Sequence, residues 1–393
     1  MKVITPRQDL SVTEVAKSNK VLKTGVEYVV ADFFPERVAA QFGPGIIEAR
    51  EYAPPNFYGG ESLKGKSLFC FRTGGIGDLL FIATSMRQVK KNFPSAELTL
   101  GCDSTFIPIL DGERDGFDLV SMPLEKKKLD EYDYILFFQG IIEGNPDAEE
   151  TNAYDLLKEA FHLDGLDNPL PNVRVEERIR NRARNFLHKT SAGIKYKMGV
   201  QVAASVQKRS VPPQVFIDFI KQLPQDYMVY FVGGKNQYEL IDLIISHLPE
   251  HKRSHVVNAS KDLPSLPEAV ALMGELDLVI GPDSSMLHIA AAHRVPLIGL
   301  YGPFPSDLRL RYYQNAIGID SMTLCEFARG RYQSCFEHGD GVCALAAKTG
   351  DSYSPCMSFF LPKHIFQAME ALGFPVYLSA DGTGGRVASG SGV

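Results

Sequence analysis

A glycine-rich segment, Arg72-Thr-Gly-Gly-Ile-Gly-Asp78, ends in a carboxylate at the start of an expected helix. Glycine lets the backbone turn tightly and lets another molecule approach its N–H groups. The N-terminal end of the helix favours a negative charge. The segment lacks both the G-x-G-x-x-G pattern and the lysine of a P-loop, which disfavours hydride transfer and P-loop chemistry. Asp78 is therefore either the N-cap of this helix or a catalytic carboxylate.

A second segment, residues 281–292, has the residue types that bind a phosphate or diphosphate. An apolar run ends at a Gly-Pro pair, and Asp283, Ser284 and Ser285 then open an Ala-rich helix. Hydroxyl groups, backbone amides and the helix dipole converge at such a point. His288, one turn into the helix, either adds a hydrogen bond or charge to this site or is an internally satisfied core histidine.

Two further segments follow strand-like runs in the same half of the chain. Ser205 and Lys208 would offer a hydroxyl and a cation to phosphate, unless they lie in a solvated loop. Gly233 permits close approach of a ligand, and Glu239 would hold a ribose hydroxyl, unless this segment is a plain surface turn.

Short apolar runs alternate with longer amphipathic stretches from residue 67 onward. Several runs are nearly continuous in Val, Ile, Leu, Phe and Tyr, as expected for strands buried on both faces. The repeated order of strand and helix predicts an α/β protein with parallel, doubly wound sheets. The predicted strands are 67–71, 97–101, 132–138, 198–204, 228–234, 255–259, 276–281 and 296–301. The predicted helices are 79–92, 176–189, 213–222, 237–247, 267–276, 285–293 and 362–372.

The strand–helix pattern restarts near residue 195, which predicts two Rossmann-like domains that face a cleft. Ligands of such sheets bind beyond the carboxyl ends of the strands. The predicted divisions are an N-terminal extension packed on the first domain (1–60), the first Rossmann-like domain (61–195), the second with a cysteine-containing insertion and a C-terminal helix (196–378), and a flexible Gly-Ser-rich tail (379–393).

Composition limits the class of protein. The chain has 393 residues, of which 45% are hydrophobic and 22% charged, so disorder and collagen-like architectures are excluded for most of its length. The formal charge of −6 provides no global positive field for DNA or anionic lipid. No apolar run approaches the roughly 18 residues of a transmembrane helix, and the N-terminal residues lack the apolar core of a signal peptide. We therefore expect a soluble, cytoplasmic protein.

Four of the six cysteines lie close together near the C-terminus: Cys325, Cys335, Cys343 and Cys356. Four thiolates are enough for one tetrahedral Zn²⁺, but the spacing lacks the C-x2-C pairs of recognised zinc modules. Buried cysteines without a metal are the favoured interpretation, and a zinc site is the weaker candidate.

Taken together, these segments resemble the ADP-heptose:lipopolysaccharide heptosyltransferase family, whose members are glycosyltransferases of the GT-B fold. The resemblance runs from about Ser67 to Gly302 and is most specific at Gly77-Asp78 and over residues 266–302. It implies that Asp78 is the general base that deprotonates an acceptor hydroxyl, which then attacks and inverts the anomeric carbon of the donor.

The same resemblance implies a nucleoside-diphosphate sugar as donor, bound mainly by the second domain, and an acceptor bound by the first. It implies no required cofactor, since Lys208 and the helix dipole would stabilise the leaving diphosphate. Ser284 and Ser285 depart from the family's Thr-Gly pair. The implied donor-binding residues are Gly75, Gly77, Ser205, Lys208, Gly233, Glu239, Asp283, Ser284, Ser285 and His288.

The acceptor stays open at this point: a glycan or lipopolysaccharide and a modified DNA base are both compatible with the sequence, as is peripheral contact with a membrane. Two alternative functions also stay open. One is a nucleotide-sugar epimerase of the same fold, which would change its substrate without an acceptor. The other is a nucleotide-binding protein that has no catalytic activity.

Overall fold

The chain divides into two units. The structure, a computed structural model, describes residues 1–12, 20–142, 145–191, 193–321, 335 and 343–376. The first unit comprises residues 1–145 and 153–174, and the second comprises residues 146–152 and those from 175 onward. Each unit is built around its own parallel sheet.

The N-terminal residues of the first unit form an antiparallel sheet with one small core on each face. Side chains alternate between the faces of a strand, so Val3 and Val29 pack against the parallel sheet of this unit, whereas Ile4 and Val30 pack against the helix Phe34–Phe42. The N-terminal extension is thus held on the first unit by apolar contacts. Its strands are β1 (Lys2–Pro6), β2 (Leu10–Ser11), β3 (Val21–Leu22), β4 (Tyr28–Val30) and β5 (Ile47–Glu51).

The parallel sheet of the first unit has four strands in the order β10-β6-β7-β8. Here β6 is Ser67–Phe71, β7 is Glu97–Cys102, β8 is Asp118–Ser121 and β10 is Tyr134–Phe137, while β9 (Leu124–Glu125) extends the antiparallel sheet beside β4. Because β6 pairs with both β7 and β10, the strand order reverses at β6, and the loops after β6 and β10 leave the sheet side by side. The helices of this unit beyond Phe34–Phe42 are Ile76–Asn92, Gly112–Asp115, Lys126–Leu129 and Ala153–Ala160.

The parallel sheet of the second unit has six strands in the order β13-β12-β11-β14-β15-β16. This is the strand order of a Rossmann sheet, with its reversal between β11 and β14. Most of its residues are fully buried, in line with the continuous apolar runs in the sequence. The strands are β11 (Tyr196–Gln201), β12 (Tyr227–Val232), β13 (Val256–Asn258), β14 (Leu278–Pro282), β15 (Leu297–Tyr301) and β16 (Ala316–Asp320).

Helices cover the sheet of the second unit. The C-terminal helix, Pro362–Ala371, joins the core of this unit through Ile365, Phe366 and Met369, and the ring of Phe366 lies 5.2 Å from that of Phe219. The remaining helices are Glu177–Ser191, Pro213–Gln222, Tyr238–Ser246, Glu250–Arg253, Ala259–Asp262, Leu266–Met273, Ser285–Ala292, Asp307–Leu310 and Ala344–Thr349.

The boundary between the units lies at residue 174, ahead of the expected position near 195. The basic helix Glu177–Ser191 falls in the second unit because its side chains bind there. Arg182 pairs with Glu268 at 2.5 Å, Arg184 pairs with Glu275 at 3.0 Å, and Thr190 bonds the buried Tyr230. Sequence periodicity identifies the helix but carries no information about which sheet it packs on.

The predicted α/β architecture with parallel sheets is confirmed, and all eight predicted strands are present, with ends displaced by a few residues. The strands β8 and β16 were not predicted, since no residue of either strand is fully buried and neither forms a continuous apolar run. The tail 379–393 lies outside the described residues. Among the helices that the structure describes, none is both long and apolar enough to span a bilayer.

Candidate active site

In the first unit, Asp78 lies beside the carboxyl ends of β6 and β10. Arg72, the residue after β6, is buried and donates from Nη2 to Asp78 Oδ2 at 2.6 Å. Its other nitrogens bind the carbonyl oxygens of Phe138 and Gly74 at 2.7 and 3.0 Å. The guanidinium thus fixes one oxygen of the Asp78 carboxylate, while the Asp78 side chain is 24% exposed to solvent. Asp78 is oriented by the protein and is still accessible to another molecule.

Asp78 does not cap the helix that contains it. The helix starts at Ile76, its N-cap is Gly75 without any side-chain cap bond, and Asp78 lies in the first turn. Gly75 has φ +79°, and a Cβ there would overlap the Asp78 carboxylate. The backbone conformation and the approach of the carboxylate both require glycine at 75. Gly77, by contrast, is an ordinary residue of the first helical turn.

A cavity of about 330 Å³ lies next to this loop, at the same end of the parallel sheet. The loop contributes Arg72, Thr73, Gly74 and Gly75. The other lining residues come from the N-terminal segment, from the last residue of β6, from the loop after β7, and from the residues that follow β8 and β10: Val30, Ala31, Phe33, Phe34, Arg37, Phe71, Asp103, Phe106, Met122, Pro123 and Gln139. Asp78 does not line this cavity, but its carboxylate lies close to Gly75, which does.

In the second unit, the predicted phosphate-binding residues gather where the strand order reverses, beyond β11 and β14. Arg209, in the loop after β11, forms an ion pair with Asp283 after β14 and also donates to Ser205 Oγ at 3.0 Å. A Cβ at Gly281 would lie 2.8 Å from Cβ of Gln201, so glycine allows the two strand ends to approach. One guanidinium thus ties the two loops of this site together.

Three buried polar atoms at this point have no hydrogen-bond partner within the described part of the chain: Ser284 Oγ, Arg209 Nε and Gln201 Oε1. Ser284 is the N-cap of the helix Ser285–Ala292, a position whose side chain normally accepts a backbone N–H, yet it makes no such bond. Buried polar groups without partners cost free energy. The two donors, Ser284 Oγ and Arg209 Nε, lie beside a helix N-terminus and are suited to a bound anion. Gln201 Oε1 is an acceptor and does not suit an anion.

The charges behind this loop are arranged around Asp283 and His288. Burial raises the pKa of Asp283, but the positive charges of Arg209 and Arg309 outweigh burial and lower it to about 2. Burial also lowers the pKa of His288 to about 4, an effect that Asp283 partly opposes. His288 is buried and its Nδ1 lies 2.9 Å from the hydroxyl of Tyr313. At neutral pH His288 is therefore uncharged, and it packs in the interior beneath the loop that contains Asp283 and Ser284.

Gly75 and Gly77 lie in the first unit, whereas the remaining predicted donor ligands are distributed along the same sheet edge of the second unit. Lys208 is buried in the turn Gln207–Arg209, while Ser285 is partly buried at the first position of its helix. Gly233 follows β12, donates its N–H to Ser260 Oγ at 2.7 Å, and leaves no room for a Cβ beside Gln237. Glu239 is exposed in the first turn of the helix after β12.

The cysteines do not gather into a metal site in the part of the chain that the structure describes, where no three His, Cys, Asp or Glu side chains group as metal ligands. Cys356 is buried against Gly302, Cys343 is partly exposed, and the N–H of Cys335 binds the carbonyl of Pro303 at 2.7 Å. Cys325 lies outside the described residues.

The sequence did not identify Arg72, Arg209 or Gln201 as residues of either site. Arg72 immediately follows and Gln201 ends the first strand of its parallel sheet, and position at a strand end is the signal that could have found these two. Arg209 lies eight residues beyond the end of β11, in the turn Gln207–Arg209. Its pairing with Asp283 depends on a contact between residues far apart in the chain.

In a comparison with known protein families, residues 151–336 match the family model "Glycosyltransferase family 9 (heptosyltransferase)". Lipooligosaccharide heptosyltransferase 2 of Haemophilus influenzae is 38% identical over 81 residues, which cover 21% of this chain and 23% of that protein. The aligned part thus spans about a quarter of the length of this curated relative.

Two solved structures are similar over most of the chain. The glycosyl transferase family 9 structure from Veillonella parvula covers 80% of this chain and 98% of its own, with TM-score 0.59 and 15% identity. ADP-heptose lipopolysaccharide heptosyltransferase II of Escherichia coli covers 78% of this chain and 98% of its own, with TM-score 0.56 and 18% identity. Both comparisons confirm the predicted GT-B fold.

Proposed function

We propose that this chain, a heptosyltransferase-like protein with a glycosyltransferase family 9 domain at residues 151–336, is an inverting glycosyltransferase. It transfers a sugar from a nucleoside-diphosphate sugar to an acceptor hydroxyl. The second unit binds the donor, and the first unit holds the acceptor and the base. The observation that carries the proposal is the pair of buried donors, Ser284 Oγ and Arg209 Nε, which have no partner among the described residues and lie at the strand reversal of the second unit, inside the family-matched segment.

The donor diphosphate binds at the N-terminus of the helix Ser285–Ala292. Ser284 Oγ and the first N–H groups of the helix bind phosphate oxygens, and Arg209 Nε adds a charged donor. Lys208 and Ser205 flank this point on the loop after β11. As the bond from the anomeric carbon to the diphosphate breaks, these groups stabilise the negative charge of the leaving group.

Asp78 is the general base. Its carboxylate accepts the proton of the acceptor hydroxyl while the oxygen attacks the anomeric carbon from the side opposite the leaving diphosphate, which inverts the configuration. Arg72 holds Oδ2 of the carboxylate, so the base keeps one orientation before the acceptor binds. General-base removal typically costs a factor of 10²–10⁴ in rate.

A thermal-shift panel tests the donor site. ADP, UDP, GDP, CDP and their common sugar conjugates are added at rising concentration, with NAD as the control. Because a ligand that binds only the folded state stabilises it by mass action, one nucleoside diphosphate and its conjugate should raise the midpoint with concentration. A folded sample whose midpoint is unaffected by every member of the panel would contradict the proposal.

Product analysis separates transfer from the alternatives. With the stabilising donor alone, a transferase leaves the nucleotide-sugar intact apart from slow hydrolysis, whereas an epimerase releases an isomer of it. With an acceptor mixture, transfer releases one nucleoside diphosphate for each sugar moved. Binding without release in any acceptor mixture would favour the non-catalytic alternative. The match to a transferase family does not favour the epimerase.

A further inference from the structure

The cavity of the first unit carries an inference about the acceptor. It has a volume of about 330 Å³ and shares the Arg72–Gly75 loop with Asp78, whose carboxylate approaches Gly75 closely. Ligand cavities range from roughly 300 to 1,000 Å³, so this one accommodates a ring or two and not an extended chain. A group bound here lies beside the proposed base.

Several residues that line this cavity have planar side chains, either aromatic rings or a guanidinium group. Four phenylalanines line it: Phe33 is 36% exposed and Phe106 is partly exposed, whereas Phe34 and Phe71 are buried. The Arg37 guanidinium lies 4.3 Å from the centroid of the Phe33 ring. Aromatic rings pair with other rings in offset or edge-on geometry, and the planar guanidinium also stacks on aromatic faces. Such walls bind planar rings well.

Several polar side chains of the cavity are engaged with one another. Gln139 Nε2 donates to Thr73 Oγ1 at 3.2 Å, and Arg72 binds Asp78 and two carbonyl oxygens. A pyranose ring would bring hydroxyl groups on all sides, and burying them against phenylalanine rings without partners costs free energy. A planar ring with a single hydroxyl avoids this cost.

We propose that this cavity binds a planar aromatic ring of the acceptor, with the ring's hydroxyl or hydroxymethyl group directed to Asp78. The inference rests on the proposed function and names its acceptor class. The N-terminal extension supplies Phe33 and Arg37, so it acts as a specificity element. The cavity-lining residues all precede residue 151, where the match to the transferase family begins. The acceptor site is thus free to differ from that of other family members.

The direct test is ligand-observed NMR with the full chain and no donor. The aromatic probe is 4-hydroxybenzyl alcohol and the sugar probe is methyl β-D-glucopyranoside, each in millimolar excess. We expect saturation transfer to the aromatic probe that is at least fivefold stronger than to the glucoside. Equal transfer to both probes, or transfer to the glucoside alone, would overturn the inference.

Matched variants locate the binding. Phe33 is 36% exposed and Phe57, in the same unit and outside the cavity lining, is 54% exposed, so Phe33→Ala and Phe57→Ala should both fold. We expect Phe33→Ala to reduce the signal of the aromatic probe severalfold and Phe57→Ala to leave it unchanged. Equal signals in the two variants would place the probe elsewhere and overturn the inference.

A cavity-filling variant adds an independent check. A Cβ at Gly74 would meet no atom within 4 Å, so Gly74→Leu can project its side chain into the cavity. We expect it to abolish probe binding while the far-ultraviolet circular dichroism is retained; an unchanged probe signal would count against the cavity.

The outcome of the donor test and the outcome of the aromatic-probe test can be distinguished from each other. A nucleotide shift without aromatic-probe binding leaves the transferase proposal intact and removes the acceptor class. Probe binding with no nucleotide shift removes the transferase proposal and leaves the cavity as an aromatic-binding site.

Discussion

At the scale of single residues, the same type of ion pair, an arginine with an aspartate, occurs once in each unit and in two different environments. Both pairs, Arg72 with Asp78 and Arg209 with Asp283, join a guanidinium that follows the first strand of a sheet to a carboxylate nearby. The Asp78 side chain is 24% exposed to solvent, whereas that of Asp283 is 6% exposed. A carboxylate that must accept a proton from a substrate has to be reachable. Asp78 therefore suits catalysis, and Asp283 suits the support of a binding loop.

Replacing Asp78 tests its role directly. We expect Asp78→Asn to lower turnover by a factor of about 10²–10⁴, because the amide cannot accept the proton. The donor affinity, measured by calorimetry, should be unchanged, because the residues to which we assign the donor diphosphate lie in the other unit.

Asp167→Asn is the matched control, since Asp167 is an exposed carboxylate of the same unit paired with Lys91. This variant should keep full turnover. Near-normal turnover of Asp78→Asn would exclude Asp78 as the base.

At the scale of secondary-structure elements, two helices of the second unit begin at a serine but use it differently. Ser265 completes a capping box: its Oγ accepts from the N–H of Glu268 at 3.4 Å, and Glu268 accepts from the N–H of Ser265 at 3.0 Å. Ser284 begins the helix Ser285–Ala292 and leaves its Oγ without a partner among the described residues. The first serine stabilises its helix, whereas in our proposal the hydroxyl of the second binds the donor diphosphate.

The two serines therefore predict opposite effects of the same substitution. Ser265→Ala should lower the free energy of unfolding by about 1 kcal/mol, the usual cost of a lost cap, with donor affinity unchanged. Ser284→Ala should leave stability unchanged or slightly higher, because it removes a buried hydroxyl that has no partner, while donor affinity falls about tenfold. Urea unfolding and calorimetry measure the two quantities, and a Ser284→Ala protein with undiminished donor affinity would contradict the role of Oγ.

At the scale of the whole molecule, the functional residues are divided between two parallel sheets that share one organisation. In each, the first strand lies beside the strand where the order reverses, and the loops of those strands carry the charged residues. The family match covers mostly the second unit, whose loops bind the donor in our proposal. In the same proposal the first unit carries the base, and its N-terminal extension forms one wall of the cavity that we assign to the acceptor.

The buried His288 predicts how the stability of the molecule depends on pH. Burial lowers its pKa from 6.5 to about 4, with Asp283, Arg209 and Arg309 as the charges nearby. Between these two pH values the unfolded chain binds a proton that the folded chain does not, so the free energy of unfolding falls as the pH falls. The loss from His288 between pH 6.5 and 4.5 should be about 2 kcal/mol.

Urea unfolding of the native protein and of His288→Asn at pH 6.5, 5.5 and 4.5 checks this value. The pKa of His293 is also lowered by burial, but His293 contributes equally in both proteins, so the difference in slope belongs to His288. Asp283, whose pKa is about 2, stays ionised throughout this range. Parallel pH profiles for the two proteins would contradict the prediction.

The sequence by itself determined the parts that depend on local pattern. Runs of apolar residues predicted the strands of both parallel sheets except β8 and β16, and the Gly-rich segment before Asp78 and the serines after β14 indicated the loops to which we assign chemistry. These features depend on residues that are neighbours in the chain, so periodicity and turn chemistry suffice to find them.

Only the tertiary structure decided which distant residues meet. The pairing of Arg209 with Asp283, the packing of the helix Glu177–Ser191 on the second unit and the wall that Phe33 adds to the cavity beside Asp78 all join segments far apart in sequence. Such contacts depend on strand order and on the geometry of packed layers, and no local pattern encodes them. For this protein, the residue types of the loops can be interpreted from the sequence alone. Which other segments each loop contacts is determined by the order of the strands.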